Sequence, residues 1–109
     1  MYSEPNPYLE DFTERTRLGV QLVSMRVLKI YGPTVAGFFL ETHCLGNWGE
    51  ASDEQNAQNE VNVATGETVT SWFSHKGRRV VVETASGWKT AARSITNVFD
   101  AKEYEAQAR

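Results

Sequence analysis

Thr68-Val69-Thr70-Ser71-Trp72-Phe73-Ser74 and Arg78-Arg79-Val80-Val81-Val82-Glu83-Thr84, joined by His75-Lys76-Gly77, decide the fold. Both runs are rich in β-branched and aromatic residues, and the connection contains the glycine that a short hairpin wants. The period of two turns Val69, Phe73, Val80 and Val82 toward the rest of the domain. It leaves Trp72 and Val81 on the other face, which is only half polar. Downstream, Ser86-Gly87 makes a turn near Trp88, and Ser94 to Phe99 supplies a third strand with Ile95 and Phe99 on one face. Asp100 caps a last short helix from about Ala101.

Upstream of the hairpin the periodicity changes. Leu18 to Val23 alternates as a short strand, after which Ser24 offers an oxygen to cap a helix carrying Val27, Leu28, Ile30 and Tyr31. Gly32 ends that helix in the left-handed conformation, and Pro33 opens a second one. The second runs from about Thr34 to Cys44, with Val35, Phe38, Phe39 and Thr42 inside and Glu41 outside, and Gly46 stops it. Asn47-Trp48-Gly49-Glu50 is a compact turn whose Trp48 plugs the core. Ser52 then caps a weakly amphipathic helix that reaches Ala64, with Gly66 as its stop. Helices first and antiparallel strands afterwards predict an α+β domain, with amino-terminal helices packed on one face of a small antiparallel sheet of about three strands.

The 109 residues suit one domain, set at 17–109 behind a polar extension over 1–16, in which Tyr8, Leu9 and Phe12 are spaced for a short helix. A single cysteine, Cys44, excludes an internal disulfide, and no run approaches the roughly 18 apolar residues of a membrane span. The amino terminus reads as neither a signal nor a transit peptide, so a cytoplasmic protein without membrane contact is expected.

Leu45-Gly46-Asn47-Trp48-Gly49-Glu50, Asp53, Asn59-Glu60, Gly66, Ser71 before Lys76-Gly77, Val82-Glu83-Thr84-Ala85, Thr96 and Glu103-Tyr104 occur in that order. Together they resemble a family of small "plasmid-related" proteins of bacterial plasmids and integrated elements. The similarity spans roughly residues 20 to 105. The chain departs from the family pattern in its amino-terminal extension and in an apparent insertion around Ser86 to Ala92. The resemblance implies a protein of a mobile element, and it carries over no catalytic residue and no cofactor. Asn6-Pro7-Tyr8 looks like a clipped form of the N-P-P-Y motif of DNA methyltransferases, but no glycine-rich cofactor loop accompanies it.

No nucleophile elbow, P-loop or dinucleotide fingerprint is present, so no catalytic residue, cofactor or metal is assigned. His43 and Cys44 are adjacent, which on a helix turns them about 100° apart and argues against a thiol–imidazole pair. They read as a buried cysteine and a partly exposed histidine near a helix end. Charge is the informative feature. Residues 30 to 75 hold six acids and no lysine or arginine, whereas 76 to 93 hold Lys76, Arg78, Arg79, Lys89 and Arg93 against Glu83 alone.

Such a dipolar surface steers partners of opposite sign. The first expectation is a non-enzymatic accessory binding protein of a mobile element, acting through protein–protein contact. Its acidic and aromatic face would be Trp48, Glu50, Asp53, Glu54 and Glu60, with an anti-restriction or DNA-mimicking inhibitor as a sub-case. The alternative is a nucleic-acid-binding protein using the basic hairpin residues Lys76, Arg78, Arg79, Lys89 and Arg93. The half-apolar outer face around Trp72 and Val81 also invites a second copy.

Overall fold

The structure is a computed structural model that describes residues 15–89 and 94–107. The elements are β1 (Val20–Val23), α1 (Met25–Cys44), α2 (Asp53–Thr65), β2 (Val69–His75), β3 (Arg78–Thr84), β4 (Ile95–Asp100) and α3 (Ala101–Gln107). The α+β class and the hairpin agree with the sequence. His75 and Arg78 close a two-residue turn in which Lys76 (φ 51°) and Gly77 (φ 77°) are both left-handed, the pattern that matches the strands' own twist.

The sheet itself is larger than expected and mixed. Its order is β1-β4-β3-β2, four strands, with β1 parallel to β4 and the other pairs antiparallel. The Val20 N–H donates to the Ser94 carbonyl (2.8 Å) and the Ser24 N–H to that of Val98 (3.0 Å). Alternation marks β1 as a strand, but its partner lies about 75 residues away in sequence, beyond any local pattern. At the entry to β1, Gly19 is left-handed, and a Cβ there would collide with Ser94. The hydroxyls of Ser94 and Thr96 donate to the carbonyls of Arg17 and Leu18.

The helices do not share one face. Helix α1 lies on the inner face, where Val27, Ala36, Phe39 and Leu40 pack with Phe73, Val80, Val82 and Val98. Phe39 and Phe73 stack at 4.9 Å. Helix α3 covers the opposite face, with the Tyr104 ring edge-on to Trp72 at 5.5 Å and tilted against Phe99. Val81, expected on an open outer face, is therefore fully buried, and the region around Trp72 offered to a second copy is already occupied. Asp100 starts α3 as expected: its carboxylate accepts from the Lys102 N–H, and Glu103 accepts in return from the Asp100 N–H.

Helix α1 bends where the sequence placed a break. Gly32 has φ 84° but ψ 164°, an extended-side conformation open in practice only to glycine, rather than the left-handed helical one. Ser24 caps the first half, accepting from the Val27 N–H. In the second half the inward stripe is Ala36, Phe39, Leu40, His43 and Cys44, and Phe38 is 63% exposed. This corrects the expected placement of Phe38, because neighbouring helical residues point about 100° apart and only one of Phe38 and Phe39 can centre the stripe.

Helix α2 packs against a sheet edge, which explains its polar sequence. Asn59 is fully buried, accepting from the Thr70 N–H (3.1 Å) and donating to the Thr70 carbonyl (2.7 Å), while Asn62 donates to the Thr68 carbonyl (2.6 Å). These amides take the place of a fifth strand along β2. The Trp48–Glu50 turn continues the cover, with the Glu50 N–H on the Trp72 carbonyl and the Trp72 N–H on that of Trp48.

Candidate functional site

The acidic face assigned from the sequence is only partly a surface. Trp48 is 6% exposed and packs with Val69 and Trp88, with Ala51 and Val63 around them. An anchor for a partner needs an exposed ring, so Trp48 is corrected from binding residue to core residue, in keeping with the plug that its turn suggested. Its indole Nε1 has no hydrogen-bond partner among the described residues. The Arg15 guanidinium lies 5.4 Å from the indole centroid and meets both Glu60 oxygens at 2.8 and 3.1 Å. The hydrogen bond from Arg15 lowers the Glu60 pKa, and the same bond raises that of Arg15. Glu60 is thus spent on a fork-like ion pair at the surface. Glu50, Asp53 and Glu54 are exposed around the start of α2.

The basic group also divides. Lys76, Arg78 and Arg79 are exposed at the hairpin turn. Lys89 belongs elsewhere, since its ammonium donates to the Ala64 carbonyl (2.8 Å) at the end of α2, where cations and terminal carbonyls attract. Arg93, like Tyr8, Leu9, Phe12 and the Asn6-Pro7-Tyr8 tripeptide, lies outside the described residues.

His43 was expected to be partly exposed and is instead fully buried. Its ring nitrogens sit 2.6 Å from Ser71 Oγ and 2.9 Å from Thr84 Oγ1, and Thr84 lies 2.7 Å from Thr96 Oγ1. The chain of donors has one consistent assignment. Thr96 donates its only proton to the Leu18 carbonyl, so Thr84 donates to Thr96 and accepts from Nε2–H. Nδ1 is then bare and accepts from Ser71. Burial pulls the imidazole pKa down to about 4. A neutral, sealed histidine ties α1 to β2, β3 and β4 and offers nothing to a substrate. Cys44, one residue on, donates its thiol to the Thr16 carbonyl and is likewise buried. The adjacency that looked like a dyad is two separate structural contacts.

What the sequence missed is a surface in the middle of α1, just past the Gly32 bend and facing the end of β2. Thr34, Val35, Phe38 and Phe39 face Ser74 and His75 across a mostly apolar pocket of about 390 Å³. The His75 ring stands edge-on to Tyr31 at 5.8 Å and to Phe39 at 6.3 Å, so one wall is an aromatic cluster. Burial, together with Asp100, raises the Tyr31 pKa. Phe38 rises from the rim, and the cationic turn of Lys76 and Arg78 follows directly on His75. The signal available in the sequence was the Phe38-Phe39 pair, one ring more than a single buried stripe accommodates.

Compared with known proteins, the chain matches no family model, no curated protein and no solved structure.

Proposed function

We propose that the chain is a non-enzymatic accessory binding protein of a mobile genetic element, as its resemblance to the plasmid-related family implies, and that it works through protein–protein contact at the surface between the middle of α1 and the end of β2. The observation that carries this reading is Phe38, a large aromatic side chain left 63% exposed beside a preformed apolar pocket. Interface hot spots have this character: an aromatic group next to a concavity, bordered by charge. The partner would insert one apolar side chain beside Phe38 and place acidic groups near Lys76 and Arg78. The acidic start of α2, with Glu50, Asp53 and Glu54, is a secondary surface in this reading.

Tagged protein and its variants, offered to a bacterial lysate at equal concentration, test it. A partner held by the wild type and by Glu54→Lys, but lost with Phe38→Asp at unchanged Tm, supports this assignment. A partner that Phe38→Asp still holds, or none held by the wild type, overturns it.

A further inference from the structure

The cations of the hairpin turn do not lie along a strand face; they converge on a second cleft. Lys76, Gly77, Arg78 and Arg79 form one side of it, and Asp100, Ala101, Lys102 and Glu105 the other, enclosing about 490 Å³. The fold creates this opening because β3 outruns β4. Val80 pairs with Asp100, the last residue of β4, so Arg78 and Arg79 extend two positions beyond the ladder, to where the chain has already turned into α3. Strand alternation sends the Arg78 and Arg79 side chains to opposite faces, so the pair straddles the end of the sheet. Because Ala85, six residues on, donates its N–H to the carbonyl of Ile95, the first residue of β4, the same alternation turns the Arg79 peptide toward the side where β4 has ended.

The electrostatics of the cleft are positive. Of the two carboxylates among its described lining residues, Asp100 is nearly buried and held by Arg26 (3.2 Å), the Tyr31 hydroxyl (3.4 Å) and the Lys102 N–H (3.3 Å). Among the described lining residues only Glu105 is an exposed acid opposing Lys76, Arg78, Arg79 and Lys102, none of which forms an ion pair with another described residue. The Arg79 guanidinium lies 4.7 Å from the Trp72 ring centroid, a cation–π contact that restrains a side chain lining the cleft.

Lys76 adds an independent sign. It is the one non-glycine among the described residues with positive φ, at a turn position that asparagine or glycine fills with less strain. A lysine held in that conformation gives up local stability at a position that lines the cleft.

We infer that this cleft is a binding site for a doubly charged oxyanion of the phosphate type, free or as a terminal phosphate ester. Lys76 and Lys102 would supply point charges from the two sides, and Arg79 a planar fork. The inference rests on the cleft and the turn; Lys76 and Arg78 also border the docking surface, but nothing in it depends on Phe38 or its pocket.

Titration of the whole protein with inorganic phosphate, at constant ionic strength set with chloride and followed by amide NMR, tests it. Saturable shifts confined to residues 76–79 and 100–105 are expected. Lys102→Gln and Arg79→Gln should each weaken the site by about tenfold, the loss of one charge-assisted contact, while Lys89→Gln leaves it unchanged. Lys76→Asn should weaken phosphate by a similar factor yet raise Tm by about 3 °C, a combination that loss of a structural residue does not give. Absence of saturation, or Lys76→Asn binding phosphate as the wild type does, overturns the site. A six-residue thymidine oligonucleotide is the comparison arm. If it binds at the hairpin and inorganic phosphate does not, the surface tracks a nucleic-acid backbone and the proposal fails.

Discussion

His43 Nδ1 lies 2.6 Å from Ser71 Oγ, joining the last turn of α1 to the middle of β2 inside a sealed core. Thr84 and Thr96 extend the contact across β3 and β4, so one imidazole registers a helix on three strands. A buried network of this kind is favourable only when every member is satisfied.

Its pH dependence follows from the neutral imidazole. The folded protein keeps His43 unprotonated down to about pH 4, whereas the unfolded chain takes up that proton near pH 6.5. Unfolding therefore binds a proton between these values, and the contribution, present in full above pH 6.5, is lost as pH falls toward 4. The expected loss is about 3 kcal/mol. Urea midpoints at pH 7.5 and 4.5 measure it, and His43→Gln should flatten the difference. An equal pH slope in that variant would mean other groups are responsible.

Trp48 and Phe38 should respond in opposite ways to truncation. Trp48→Ala removes an indole packed on Val69 and Trp88 and should cost about 3 to 5 kcal/mol. Phe38→Ala removes a ring that is mostly in water and should change stability by about 0.5 kcal/mol or less. Thermal melts of the two variants distinguish core from surface, and a large loss for Phe38→Ala would place its ring in the core.

Gly49 and Gly77 both have positive φ, but only one is crowded. A Cβ at Gly49 would collide with the Trp72 carbonyl and lie 2.6 Å from the Phe73 ring, whereas one at Gly77 meets nothing within 4 Å. Gly49→Ala should therefore cost about 3 kcal/mol or more, and Gly77→Ala about 1 kcal/mol, from backbone strain alone. Equal losses in denaturant titrations would show that the turn moves away from β2.

Asn59 holds both backbone groups of Thr70. Asn59→Ala leaves a buried N–H and C=O without partners, with an expected loss of about 2 to 4 kcal/mol. The same change bares the β2 edge, so concentration-dependent association should rise with it. Light scattering beside a denaturant titration reads both effects; stability lost without association would mean that other groups still block the edge.

The local devices were legible in the chain. Ser24 and Ser52 cap α1 and α2, Gly66 ends α2 in the left-handed conformation, and Lys76-Gly77 turns the hairpin. Each of these is settled by dihedral preference and hydrogen bonds within a few residues. The candidate site was legible only in part. Lys76, Arg78 and Arg79 were found as a cluster because they are consecutive or nearly so, whereas Lys102 joins them only because β4 stops short of β3. Lys89 left the group because its ammonium reaches Ala64 across the fold.

By itself, then, the sequence determined the class, the hairpin, the caps and the breaks, since these depend on interactions a few residues long. Tertiary structure decided the parallel seat of β1 beside β4, the burial of His43, the exposure of Phe38, and α3 as the cover of the second face. Each of those depends on pairings between distant segments, where the free energy comes from which surfaces meet, and a linear pattern records only what each surface is made of.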